Sequence, residues 1–264
     1  MPPARVVLWV ASLAAVAVLV RTVLSGPPPV WVAVALLGVY VAIGVVGVFF
    51  PRLEMYGDAI CCGRAGGRRV ALTFDDGPDP VSTPAILAML EPGGHRATFF
   101  LVGSKVLLHP EVVEQIVAAG HSIGVHGHVH RWGYGFLPPS AVARDIQAAQ
   151  DAVERACGKR PELFRPPIGI VSPRTAAGAR RAKVPIVLWS VKGGDGVPVR
   201  AGTVVRRVRR GLRDGAIVLL HDAAESGPRT PASLEALPPI LQQIETLGLA
   251  TVGVEEFVPS GTQL

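Results

Sequence analysis

Hydrophobic positions along this chain fall into two regimes. Up to residue 50 they are nearly continuous. Val6 to Leu24 is apolar apart from Arg21 and two small hydroxyl residues, and Val30 to Phe50 carries no charge over 21 residues. A helix rises 1.5 Å per residue and a hydrocarbon core is about 30 Å thick, so the second stretch is long enough to span it. The first is shorter between Arg5 and Arg21 and also fits a signal peptide. No convincing small-x-small cleavage site precedes Ser25-Gly26, and another apolar span follows at once. The pattern predicts a retained transmembrane hairpin, with helices at about 6–24 and 30–50, turned by Gly26-Pro27-Pro28-Pro29.

After residue 50 the regime changes. Residues 51–68, rich in glycine and arginine, read as a linker; residues 69–258 read as one folded domain, and 259–264 as a tail. Within the domain, short β-prone apolar runs alternate with helical periodicity. Val70–Phe74, Thr98–Val102, His121–Val125, Leu163–Arg165, Pro185–Trp189, Ala216–His221 and Ala250–Val254 read as strands. Helices open at Thr83-Pro84, at Pro110 (closed by Gly120), at Ser140 as a cap for Ala141–Cys157, and at Ser172-Pro173; Thr203–Leu212 and Pro239–Leu247 complete the set. Seven strands alternating with about six helices imply an α/β fold with a parallel sheet, either an incomplete (β/α) barrel or a doubly wound sheet.

Composition adds less. The 264 residues are 49% hydrophobic with a net charge of +6. No recognised nucleic-acid motif accompanies that charge, so nucleic acid is excluded as a partner and anionic lipid headgroups fit the spans better. The basic run Val204–Arg213 sets Val204, Val205, Val208 and Leu212 on one face and arginines on the other. It reads as a solvated helix face or as a contact with the membrane surface or a lipid-linked phosphate. Arg180, Arg181 and Lys183 share that ambiguity. Cys61, Cys62 and Cys157 give no disulfide framework. Arg5 before the hairpin and Arg52, Arg64, Arg68 and Arg69 after it would place both flanks in the cytoplasm by the positive-inside rule. Arg21 in the short loop argues the other way and the rule weakens beside a folded domain, so the side of the domain is left open.

In parallel α/β folds the chemistry collects at the C-terminal ends of strands. The polar residues there are Asp75 and Asp76, the histidines of His126–His130, Arg165, Asp195 and His221. TFDDGPD (Thr73–Asp79) holds adjacent carboxylates. Asp-Gly and Gly-Pro are ordinary turn formers, but two such aspartates can also divide labour, one holding a metal and the other a proton. GHSIGVHGHVH (Gly120–His130) holds four of the seven histidines. His126 and His128 share a face if the strand continues, His126 and His130 if the chain coils, and Gly127 permits either. His121 reads as structural, and His95 and His109 receive no function.

TFDDG, the histidine run, FRPPIG (Phe164–Gly169) and VLLH (Val218–His221), in that order, resemble the polysaccharide deacetylase family of metal-dependent carbohydrate esterases, the NodB-homology domain of carbohydrate esterase family 4. The resemblance covers Arg69 to Val258, about seven-tenths of the chain. It implies a distorted, incomplete (β/α) barrel of about seven parallel strands and hydrolysis of N-acetyl groups on amino sugars. By motif position it implies Asp76, His126 and His130 as ligands of one divalent ion, Zn²⁺ or else Co²⁺ or another. It implies Asp75 as general base with Arg165 paired to it, His221 as general acid tuned by Asp195, the Ile168 N–H as an oxyanion donor, and Leu219 as wall of the acetyl pocket. Ile168 stands where the family usually has an aromatic residue. Lys192 and Gly196 depart from its pattern around Asp195, and His128 is an extra imidazole whose direction the sequence leaves open.

The expectation is a membrane-anchored, multi-pass deacetylase with the lipid bilayer as a partner and no protein partner implied. It acts on an N-acetylated cell-envelope glycan such as peptidoglycan, with an extracytoplasmic domain favoured on function. Two alternatives remain: deacylation of a membrane lipid-linked amino sugar, and a catalytically inactive glycan-binding module.

Overall fold

The computed structural model describes residues 1–224 and 229–259. Two long helices come first, α1 (Pro3–Ser25) and α2 (Val30–Phe49), joined by the expected Gly-Pro-rich turn. Each is long and apolar enough to cross a bilayer. α1 has no buried residue and α2 buries only Gly47, under Met55 and Tyr56. The hairpin is fastened to the domain at one end. The Arg5 guanidinium donates to the Glu54 carbonyl and Asp58, the Tyr56 hydroxyl to the Gly44 carbonyl, and Arg52 to the carbonyls of Trp189 and Ser190.

The body is an α/β barrel of parallel strands. β1 (Ala59–Ile60) lies inside the stretch read as a linker. Then follow β2 (Arg69–Asp75), α3 (Ser82–Leu90), β3 (Ala97–Leu101), α4 (Gly103–Leu108), α5 (Pro110–Ala118), β4 (Ser122–Val125) and α6 (Pro139–Cys157). The series ends with α7 (Pro173–Ala182), β5 (Ile186–Val187), β6 (Val191–Lys192), α8 (Ala201–Gly211), β7 (Ile217–His221), α9 (Ser233–Thr246) and β8 (Ala250–Thr251).

Strand order is β4-β3-β2-β7-β6, all parallel, and β1 pairs with β5. Phe164 joins the two sheets by single bridges to Val125 and Ile186. The run Leu163–Arg165 therefore fills the fourth position of the barrel without becoming a regular strand. That is the distortion: short, irregular pairing on one side and long, regular pairing through β2, β3 and β7 on the other.

Alternation of side chains along a strand decides what faces the barrel interior. Leu72, Phe74, Val218 and Leu220 pack outward with the helices in the main core. Ala71, Phe100, Val187 and Ile217 pack inward, and Val252, Val254 and Phe257 close the barrel floor beneath them. β8 pairs only with the first residues of β2, at that same floor, so Ala250–Val254 is a two-residue strand followed by a 3₁₀ turn. Two helix starts also differ from expectation. α6 begins at Pro139, which places Ser140 inside its first turn rather than at the cap. α9 begins six residues before Pro239 and carries both prolines inside, since burial of Ala236, Leu237, Ile240 and Leu241 outweighs the local breaker signal.

Candidate active site

β2 delivers the carboxylates to the barrel mouth. Its parallel pairing with β7 sets Asp75 opposite His221 and Thr73 opposite Leu219. Asp75 ends the strand, and Asp76 turns the chain with a left-handed φ of 75°. Gly77 has to be glycine at this turn, because a Cβ would lie 2.1 Å from Asp222 Oδ2. Lys105 of α4 ties the turn down by donating to the Asp76 carbonyl at 2.7 Å and to the Ala224 carbonyl at 2.8 Å.

Arg165 is fully buried and spends its guanidinium on four acceptors. It donates to Asp75 Oδ1 at 2.6 Å, Thr73 Oγ1 at 2.8 Å, and the carbonyls of Val187 and Leu188 at 3.2 and 2.9 Å. Phe100 stacks on it at 4.0 Å. Burial pushes the guanidinium down from its ordinary value, and the Asp75 carboxylate pulls it back. One oxygen of Asp75 is thus clamped, while Oδ2 lies 3.8 Å from His126 Nε2.

The histidine loop settles the choice left open by the sequence. β4 ends at Val125, and Gly127 takes a φ of 80°, so the strand does not continue through His128. The loop is pinned by groups with no obvious sequence signal. The first amides of α4, Gly103 and Ser104, donate to the carbonyls of Gly127 and His128, and Asp145 of α6 accepts from the His128 amide. His128 points away from the carboxylates, its Nδ1 buried against Gly103 with no hydrogen-bond partner among the described residues. His126 and His130 point inward, each with Nε2 3.6 Å from Asp76 Oδ1.

Asp76, His126 and His130 present ligand atoms all within 4.8 Å of one another. Two further observations fit a divalent ion there. Asp76 Oδ1 is buried without a hydrogen-bond partner. His126 Nδ1 lies 2.8 Å from the Arg165 carbonyl, which can only accept, so Nδ1 carries the proton and Nε2 offers its lone pair. Burial pushes His126 down from its ordinary value against the pull of Asp75 and Asp76, which keeps it neutral as a ligand must be.

On the far side of the mouth, Asp195 is fully buried and holds His221 twice. Oδ1 accepts from Nδ1 at 3.0 Å and Oδ2 from the backbone amide at 2.8 Å. Burial pushes His221 down, but the Asp195 hydrogen bond and charge, with Asp75 and Asp76 behind, win and raise it to about 9. Arg229 fixes the loop by donating to the carbonyls of Asp195 and Gly196. Ile168 sits left-handed at φ 63°, strained for a β-branched residue, and its N–H has no hydrogen-bond partner among the described residues. Ile168, Leu219, Trp132, Trp189, Lys192 and Val197 line a cleft of about 170 Å³ over Asp75, Asp76 and His221. His121, by contrast, is structural. It accepts from the Ala97 amide and packs on Phe99, and burial with help from Arg96 lowers it to about 4.

A family model described as polysaccharide deacetylase matches residues 63–187. A peptidoglycan-N-acetylglucosamine deacetylase of Listeria monocytogenes is 34% identical over 200 residues, which is 75% of this chain and 40% of that protein. A solved peptidoglycan N-acetylglucosamine deacetylase matches at 30% identity with a TM-score of 0.72, covering 81% of this chain and 99% of the other. This chain belongs to the polysaccharide deacetylase family. It spans about two-fifths of the length of the Listeria relative. A pseudoenzyme of carbohydrate esterase family 4 from Bacillus anthracis is similar as well, at 25% identity and a TM-score of 0.69, covering 78% of this chain and 70% of that one. Likeness of fold alone therefore does not decide catalysis.

Proposed function

We propose that this chain is a membrane-anchored, metal-dependent deacetylase that removes acetyl groups from amino sugars of a cell-wall polysaccharide, peptidoglycan being the leading substrate. The observation that carries the proposal is the convergence of three ligand atoms, a clamped carboxylate and a carboxylate-backed histidine on one small cleft. A divalent ion held by Asp76, His126 and His130 would supply Lewis acidity to the amide carbonyl and to the attacking water.

The chain's own residues account for the rest. Arg165 holds Asp75 Oδ1, leaving Oδ2 to accept a proton from the water that attacks the acetyl carbon. The free N–H of Ile168 faces the developing oxyanion from the 3₁₀ turn, and Leu219 packs against the acetyl methyl. An amine is a poor leaving group and must be protonated as the C–N bond breaks. His221 carries that proton on Nε2, because Asp195 occupies Nδ1. The test is acetate release from peptidoglycan and chito-oligosaccharide by the full chain, before and after removal of divalent ions by EDTA. Release that stops with EDTA and returns with Zn²⁺ or Co²⁺ supports the deacetylase. Glycan binding with no release under any metal supports the inactive module instead.

The pH dependence follows from His221. Its charged form is favoured up to about 9, so kcat/KM is expected to fall as pH rises through that value. The same raised value makes the His221–Asp195 pair stabilising below the ordinary histidine range and lost as pH climbs through about 9. In Asp195→Asn, burial acts unopposed by that charge, so the alkaline limb should move to lower pH by more than one unit. A limb that stays in place removes Asp195 from this role.

One observation favours the lipid-linked amino sugar as a second reading. Arg52, directly after α2, binds the carbonyls of Trp189 and Ser190, and the Trp189 side chain lines the cleft. That bond would hold the mouth of the site close to a bilayer surface. A topology reporter fused at Leu264 separates the two: an extracytoplasmic end favours the wall polysaccharide, a cytoplasmic one the lipid-linked sugar.

A further inference from the structure

A second cleft, of about 480 Å³, shares no lining residue with the one over Asp75 and His221 and opens between the first turns of α1 and the last turn of α7. One wall is Leu8 and Trp9 of α1; the other is Ala179 and Arg180 of α7, with Met55 and Asp58 at its base. We propose that this cleft binds the phosphate headgroup of an anionic membrane phospholipid. The inference rests on the membrane-anchored reading of the hairpin.

Three features select such a ligand. The cleft sits where the apolar part of α1 ends, and Trp9 is 59% exposed there, the level at which aromatic side chains mark the boundary between headgroups and acyl chains. Its walls are split by polarity. Leu8 and Trp9 face it from the helix that would lie in lipid, and arginine faces it from the domain. Its charge is uneven too. Asp58 is taken by Arg5 at 2.7 Å, whereas the Arg180 guanidinium has no hydrogen-bond or ion-pair partner among the described residues. Arg181 and Lys183 are exposed beside it, so the rim carries uncompensated positive charge. A phosphodiester placed there would meet Arg180 while its acyl chains ran down the exposed side of α1. A neutral or purely apolar occupant would leave the arginine unused. Among the basic runs of this chain, the α7 turn is thus the one built against the membrane helix; on α8 the arginines sit opposite Val204 and Val208, which pack into the core.

The experiment uses the full chain in nanodiscs made either of phosphatidylcholine alone or with phosphatidylglycerol, with native mass spectrometry reading the lipids retained after release. Retention of phosphatidylglycerol over phosphatidylcholine is expected, and Arg180→Ala should lower that preference about five-fold, the effect of one basic residue near an anionic surface. Arg210→Ala on α8 should leave it unchanged. Equal retention of both lipids, an undiminished preference in Arg180→Ala, or displacement of the lipid by millimolar inorganic phosphate would each overturn the proposal. Membrane fractionation of the wild-type chain is read first. A chain recovered without detergent in the soluble fraction defeats the anchoring itself, and a membrane-bound chain without lipid preference defeats only this site.

Discussion

Replacing Asp75 by asparagine is expected to lower acetate release by about 10²–10⁴-fold, the range over which a positioned general base acts. The side chain keeps its shape and one acceptor oxygen for Arg165, so geometry is conserved while the basic lone pair is lost. Divalent metal bound per chain should be unchanged, because Asp75 lies outside the Asp76, His126 and His130 cluster proposed to hold it. The measurement is kcat and KM on chito-oligosaccharide, alongside the metal content of the same preparation by mass spectrometry. A variant that retains more than a tenth of the rate would remove Asp75 from the base role. One that loses metal together with rate would make it a ligand instead. Because Asp75→Asn leaves Arg165 charged and short of its counterion, rates belong well below the unfolding midpoint of the variant.

That last point leads to the largest expected effect on stability. Arg165 and Asp75 form an ion pair of 2.6 Å with 0% and 3% of their side chains exposed. Removing one partner of such a pair costs about 3–5 kcal/mol, because the other is left charged and out of water, while replacing both by apolar groups is often close to neutral. Arg165→Met is therefore expected to lose about 3–5 kcal/mol of unfolding free energy. Asp75→Asn should lose less, since it keeps an acceptor. The double variant should be more stable than the sum of the two losses predicts. Urea unfolding followed by circular dichroism checks all three. Additive losses would show that the pair is not coupled, and an Arg165→Met loss below about 1 kcal/mol, the range of a surface pair, would show that its burial is overstated. Activity in the double variant should stay at or below the level of Asp75→Asn however well it folds, which separates the chemical role of Asp75 from its structural one.

The fold was legible where local pattern and tertiary demand agree. β2, β3 and β7 are continuous apolar runs buried on both faces, and each was placed within a residue. Legibility failed where short pieces are held only by distant partners. β1 and β6 are two-residue strands that exist because β5 and β7 offer them free edges, and no periodicity can register over two residues. α4 was missed for the same reason: six residues carry under two turns of pattern, yet its amides and Lys105 hold the loops that carry Asp76 and the histidines.

The candidate site divides along the same line. Residue type and order in the chain were enough to single out Asp75, Asp76, the histidines of His126–His130, Arg165, Asp195 and His221, because strand ends in a parallel barrel must meet at one rim. Local spacing could not choose between His128 and His130, and only the family resemblance favoured His130, since the direction of each ring depends on the turn at Gly127 and on Asp145 and α4, which hold the loop from other elements. Nor could it place the Asp195 carboxylate, whose neighbours Lys192 and Gly196 depart from the family's pattern. Only the packing of β6, β7 and Arg229 brings that carboxylate to the ring Nδ1 and the backbone amide of His221. The chemical kind of a side chain is written in the sequence, but its direction is set by neighbours many residues away, and at this site direction separates a ligand from a bystander.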